Sequence, residues 1–319
     1  MSKKELYSNV FLCLTVVLVF SLSLFFIPYY IYGDQVHYQR IYDGVSYFNL
    51  FDAYSFYKAN IDSQEPVYFL LSWVSSTLGI DKIYFVTFFN VLLSFFAYKY
   101  FTKIGGHPFV VFLIVTFGYY SYVLFFAAER LKFGFLFLLL GLLYSKRRYV
   151  FYVISVLSHA QMIALLSSFT FFRFRGDILS IFLKRKVYKN TLFLLISGTV
   201  TSFFVFLIMR EHIISKFDSH FEIRGFFELI KIGVFFILSY FYAKDKSSAV
   251  ALFLPLFFLV FVFGGERINF LGYFVFLYFS LQYKKGFNLG SVLVNSYFFY
   301  TGAVFLWKIV KYGNGFYSV

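Results

Sequence analysis

Two glutamate–arginine steps stand beside long apolar runs in this chain, and one histidine lies inside another such run. Glu129-Arg130 occurs in FFAAERLKFGF, Glu266-Arg267 in FGGERINFLGYF, and His159 in VLSHAQMIALL. A charged side chain at the centre of a membrane helix costs roughly 2.5–3.5 kcal/mol, so such residues are seldom kept without a purpose. The arginine fork matches the oxygens of a phosphate or pyrophosphate. Lys132 adds a second cation beside Arg130. The bland alternative for Glu129-Arg130 is a structural pair that marks a turn at the membrane surface. For Glu266-Arg267 it is an interfacial anchor, with the two preceding glycines allowing a helix break or a close backbone approach. At equal depth the two steps would build one cationic cup, and Arg224 in HFEIRGFF is a third candidate arginine. Histidine suits a proton shuttle, yet a lone histidine between helices also serves as a hydrogen-bonded packing group.

Two further stretches carry chemistry. Glu65-Pro66 opens an apolar segment. Proline favours the first helical turn and an acid there complements the helix dipole, so Glu65 is read either as a helix cap or as a general base. Loop 30–65 holds five of the chain's 15 acids, Asp34, Asp43, Asp52, Asp62 and Glu65, interleaved with Tyr38, Tyr42, Tyr47, Tyr54 and Tyr57. Asp34, Tyr38 and Tyr42 are four apart, which puts them on one face of a helix. Aromatic rings cover the apolar face of a sugar while carboxylates accept from its hydroxyls. The alternative is a loop whose tyrosines rest at headgroup level. No metal-ligand spacing, phosphate-binding glycine loop or nucleophile elbow occurs.

The elements that must hold these residues are membrane helices. Of 319 residues 61% are hydrophobic, 26% aromatic and only 14% charged, including 53 Phe and 29 Tyr. The mean hydropathy is +0.75. Soluble proteins carry about 25% charged residues, and this much phenylalanine exposed to water would aggregate. The net charge of +14 comes from Lys and Arg between apolar runs. There they set topology and meet anionic headgroups, so nucleic acid is not a partner. The only cysteine, Cys13, lies in the first apolar run, which excludes a disulfide and reads as a retained first helix.

Apolar segments of spanning type fall at 9–30, 66–80, 83–101, 108–127, 131–144, 149–172, 190–209, 227–243, 248–264, 267–283 and 291–311. We expect an all-α polytopic protein, a single multi-pass transmembrane domain over 1–319 with about nine to eleven such segments. Lys3 and Lys4 place the N-terminus in the cytoplasm, as do Lys146-Arg147-Arg148 and the basic loop 173–189 for their own positions. Parity then requires that 66–80 be short or re-entrant on the outer side. Run 149–172, basic at both ends, either crosses or forms a hairpin. On this topology loop 30–65, Arg130, Arg224 and Arg267 face one compartment.

The order of these features resembles the EpsG family, a branch of the Wzy-type polysaccharide polymerases of bacterial membranes. The matching residues are Asp34, Tyr38 and Tyr42, then Glu65-Pro66, Arg130, His159, and Arg267 with Tyr273-Phe274, spanning about residues 30–285. Glu129 departs from the pattern, where a glutamine or small polar residue is expected. The resemblance implies a GT-C-like membrane glycosyltransferase of the bacterial plasma membrane, with its active site facing the periplasm or exterior. It would join oligosaccharide units carried on undecaprenyl pyrophosphate into O-antigen, capsule or exopolysaccharide, with no nucleotide sugar, cofactor or metal. Implied partners are the lipid-linked donor and acceptor, membrane lipid and a chain-length regulator. Arg130, His159, Glu65 and Asp34 are then catalytic candidates. Arg267, Arg224, Tyr38, Tyr42, Glu129, Lys132 and Tyr273 are candidates for substrate binding. A flippase of lipid-linked oligosaccharide and an acyltransferase acting on surface sugars are the alternative expectations.

Overall fold

The computed structural model describes residues 3–61, 65–184 and 224–317, and all regular structure among them is helical. The expected segment 190–209, Asp62, residues 185–189 of the basic loop 173–189 and residues 210–223 of loop 210–226 lie outside the described residues, while 173–184 continue a helix. The helices are α1 Lys3–Phe26, α2 Asp34–Gly44, α3 Leu50–Ile61, α4 Pro66–Thr77, α5 Lys82–Lys103, α6 Pro108–Phe117 and α7 Tyr119–Tyr122. They continue with α8 Glu129–Leu143, α9 Arg148–Ser158, α10 Met162–Lys184, α11 Arg224–Tyr242, α12 Lys246–Phe263, α13 Gly265–Gln282 and α14 Leu289–Tyr312.

Length decides which can cross a bilayer. Glu5–Tyr29, Lys82–Lys103 and Lys284–Tyr312 are long and apolar enough, and Pro108–Phe117 with Tyr119–Ala127 adds a fourth if that pair, bent by 50°, is one span. A hydrocarbon core of about 30 Å needs about 20 residues. Among the described residues the sequence-based count of nine to eleven is not reached, since several of its apolar runs fold as shorter or bent helices and 190–209 lies outside those residues. α4, at 12 residues, extends only about 18 Å at 1.5 Å per residue. Run 149–172 is divided where His159 takes an extended conformation, φ −162° and ψ 121°. Run 108–127 breaks at Gly118 and ends in a π turn, Val123–Ala127.

The chain forms two compact units, Met1–Met162 with Lys284–Val319, and Ile163–Tyr283. In the first, α5 lies against α1 and α8, and α8 packs along α9. Two glycines on α8 allow close approach on this side, Gly141 to α9 and Gly134 to the start of α10. A Cβ at Gly141 would lie 2.5 Å from the Tyr152 ring and 3.2 Å from the Arg148 carbonyl oxygen, and one at Gly134 would lie 2.7 Å from Met162 Cγ. Ser155 Oγ also donates to the Gly134 carbonyl at 2.7 Å. Small residues let membrane helices approach in this way. Gly141→Ala should therefore destabilise the protein by about 1–3 kcal/mol through overpacking, read as a lower unfolding temperature in detergent. An unchanged midpoint would mean that Tyr152 can turn aside.

At the start of α6, His107 caps the helix, its Nδ1 accepting from the Phe109 N–H at 3.3 Å. Burial first, then Lys285, lowers its pKa from the ordinary value. The folded state thus favours neutral His107. Stability from this group is complete above the unfolded pKa of about 6.5 and is lost as pH falls from there through the lowered folded value. His107→Asn keeps a capping acceptor and should flatten the stability profile on that acid side. An unchanged slope between wild type and variant would refute the assignment.

The second unit packs α11, α12 and α13 against one another. Asp245, between α11 and α12, caps α12 at Ser247 and accepts from Arg175 at 3.0 Å. Hydrogen bonds from Ser248, Ser247 and Arg175 hold its carboxyl well below the usual range.

Candidate functional site

The local sequence at α4 explains how the site begins. A residue before proline is pushed into the extended region, and Glu65 has φ −75° and ψ 104°. Its carboxylate makes no cap bond to α4. It turns instead to two residues far along the chain. Arg130 Nη1 donates to Glu65 Oε2 at 2.9 Å, and His159 Nδ1 lies 2.5 Å from Glu65 Oε1. The Ala160 N–H also points at Oε1, at 3.4 Å. Arg130 Nε donates to the Tyr38 hydroxyl at 3.3 Å. Four segments therefore converge: α2, the α4 start, the α8 start and the α9–α10 break.

Each element has a reason to present its residue. Arg130 lies in the first turn of α8, where the helix dipole disfavours a cation, so the Glu65 carboxylate supplies the compensating charge. His159 is free of helical geometry because α9 ends at Ser158. The site is half-sealed: Arg130, His159 and Glu65 retain 23%, 16% and 12% of their side-chain exposure.

Tyr38 is buried on α2, and desolvation pushes its hydroxyl up to about 12 against the opposing pull of Arg130. It accepts from Arg130 while keeping its own proton to donate. At His159 the other ring nitrogen, Nε2, is 3.0 Å from Gln161 Oε1, and Gln161 Nε2 is buried without a partner. With Nδ1–H donated to Glu65, a neutral ring offers only an acceptor at Nε2. Turning the Gln161 amide over would let its nitrogen meet that lone pair in the substrate-free site. A carboxylate that fixes a histidine tautomer this way makes Nε2 the proton acceptor once a substrate hydroxyl takes the place of the Gln161 amide.

A second acid-centred network lies deeper. Glu129 pairs with Lys82 at 3.3 Å and accepts from the Tyr68 hydroxyl at 2.9 Å. Lys82 also donates to Gln35 Oε1 at 3.0 Å. The π turn before α8 presents carbonyls to the same group: Gln35 donates to Phe126 O, and both Asn90 and Lys132 donate to Phe125 O. The Tyr38 and Tyr68 rings, 5.6 Å apart, join the two networks.

The other candidates are placed as follows. Asp34 is exposed in the first turn of α2. Tyr42 is buried, its hydroxyl donating to Ile80 O at 2.9 Å. Lys132 and Glu129 are sealed inside the first unit. Arg267 is exposed in the first turn of α13 and Tyr273 is buried on the same helix, both in the second unit. Arg224 opens α11 in that unit. Lys82, Gln35, Tyr68 and Gln161 escaped sequence reasoning. The signal for Lys82 was a cation at the head of an apolar run, right after its N-cap Asp81. The other three had none. Among the described residues, no three His, Cys, Asp or Glu side chains gather as a metal would need.

No family model, curated protein or solved structure matches the chain.

Proposed function

We propose that this chain is a GT-C-like, EpsG/Wzy-type polymerase of nine to eleven membrane segments that joins oligosaccharide units carried on undecaprenyl pyrophosphate at the outer face of the plasma membrane. The observation that supports it is the Glu65 bridge between Arg130 and His159. A hydroxyl of the acceptor unit attacks the anomeric carbon of the donor, a carbon–oxygen bond forms, and the bond to the pyrophosphate breaks. His159, oriented by Glu65, takes the hydroxyl proton. Arg130, with the Tyr38 hydroxyl beside it, stabilises the charge that develops on the departing pyrophosphate. The buried Lys82–Glu129 network holds the start of α8, and with it Arg130. Asp34 and the exposed face of α2 are left to meet sugar.

Arg130→Ala should stop chain extension while single repeat units accumulate on lipid outside the membrane. Polymer of normal length at normal protein level would overturn the reading. Repeat units trapped on the inner side would favour a carrier instead.

A further inference from the structure

The turn between α2 and α3 presents aromatic rings to the outside of the first unit. Tyr47 is 85% and Phe51 82% exposed, with Phe48 and Leu50 partly so. These rings are held out by a rigid turn. Asn49 Oδ1 accepts from the N–H groups of Phe51 and Asp52, its amide donates to Asp52 Oδ2 at 2.6 Å, and Trp73 Nε1 donates to the Phe48 carbonyl at 3.3 Å. Gly44 lets the Phe56 ring close the base, since a Cβ there would fall 2.7 Å from it.

We infer that this turn is seated in the acyl–headgroup interface of the bilayer, with Tyr47 and Phe51 as its anchors. Three observations carry the choice of occupant. First, the rings continue an outward apolar strip. Ser76 Oγ donates to Tyr42 O and Tyr42 to Ile80 O, tying the turn's helix to α4 and the α4–α5 link. The exposed apolar residues Leu70, Val74 and Leu78 on and after α4 lead to Tyr84 and Phe88 on α5, a helix able to cross the membrane. Second, tyrosine and its aromatic neighbours are the residues that favour this interface. Third, a sugar platform needs carboxylates free to accept from hydroxyls. The adjacent acids are engaged by near neighbours, Asp52 by Asn49 in the turn and Asp43 by Gln39 on α2. The seat fixes α2, and so Tyr38, at headgroup height, where a lipid-borne anion would reach Arg130 sideways. That last consequence rests on the function proposed above, whereas the seat itself does not.

The test uses full-length protein in phosphatidylethanolamine–phosphatidylglycerol vesicles, with Cys13→Ser to remove the exposed native thiol. Tyr47→Cys, Phe51→Cys and, on the exposed side of α2, Arg40→Cys each carry a bimane label. Brominated acyl chains should quench positions 47 and 51 and leave position 40 bright. Aqueous iodide should do the reverse. Iodide quenching at 47 and 51 without quenching by brominated lipid would overturn the inference, because the rings would then lie in water. Protection from both quenchers would also overturn it, by showing that protein covers them. Neither readout depends on catalysis, so a failed polymerase reading and a failed interfacial seat are distinguishable.

Discussion

Glu65→Gln is expected to lower chain extension by about 10²–10⁴-fold, the range of a lost general acid–base contribution, with lipid-linked single units accumulating. Glutamine keeps the size of the side chain and removes its charge. Arg130 loses the anion at 2.9 Å, and the amide's single oxygen can accept from only one of Arg130 and His159, leaving the other facing an N–H donor. Glu65→Asp separates charge from reach. A carboxylate one methylene shorter cannot hold both partners, so it should recover only part of the activity. The three groups keep some contact with water, so stability should fall modestly, by about 1 kcal/mol as for screened pairs. Assaying lipid-linked intermediates beside the unfolding midpoint resolves the two effects. Polymer of wild-type length and amount from Glu65→Gln would remove the bridge from the mechanism.

The largest stability effect belongs to Glu129→Gln. Lys82 and Glu129 are 5% and 2% exposed, and Lys132 is buried beside them. Removing the carboxylate leaves the buried Lys82 ammonium without its anion, and breaking such a pair from one side costs about 3–5 kcal/mol. Lys82→Met combined with Glu129→Gln removes that cation and should restore more than half of the loss. Denaturation midpoints of the two single variants and the double variant form the cycle that measures the coupling. If Glu129→Gln unfolds within about 1 kcal/mol of wild type, the network contributes little and Arg130 is positioned by other contacts.

The two carboxylates show how far local reading reaches. Glu65 followed by Pro66 reads correctly as the residue that opens a helix, because proline restricts its neighbour whatever the fold. The same logic offers its side chain to the α4 amides, and there the structure differs. The carboxylate finds a guanidinium 65 residues away and an imidazole 94 away. Glu129 reads as a charge at the edge of lipid needing a partner. The partner, Lys82, is 47 positions earlier and looks in sequence like the polar end of a membrane helix. The break at His159 has no proline or glycine to announce it. It falls where α9 ends against the glycine face of α8, which is a packing event.

Sequence by itself determined what depends on composition and near neighbours. That covers an all-helical chain for the described residues, a few helices able to cross a membrane, the start of α4 at Pro66, and a short roll of charges worth asking about. Hydropathy and helix period act over one or two turns, so one chain suffices to read them. Tertiary structure alone decided which charges meet. It joined Tyr38, Glu65, Arg130 and His159 at one half-sealed point, sealed Glu129 and Lys132 away from it, and held the aromatic turn at Tyr47 outward. A lone buried charge is costly enough to demand a partner, but the chain specifies that partner only by bringing distant helices together.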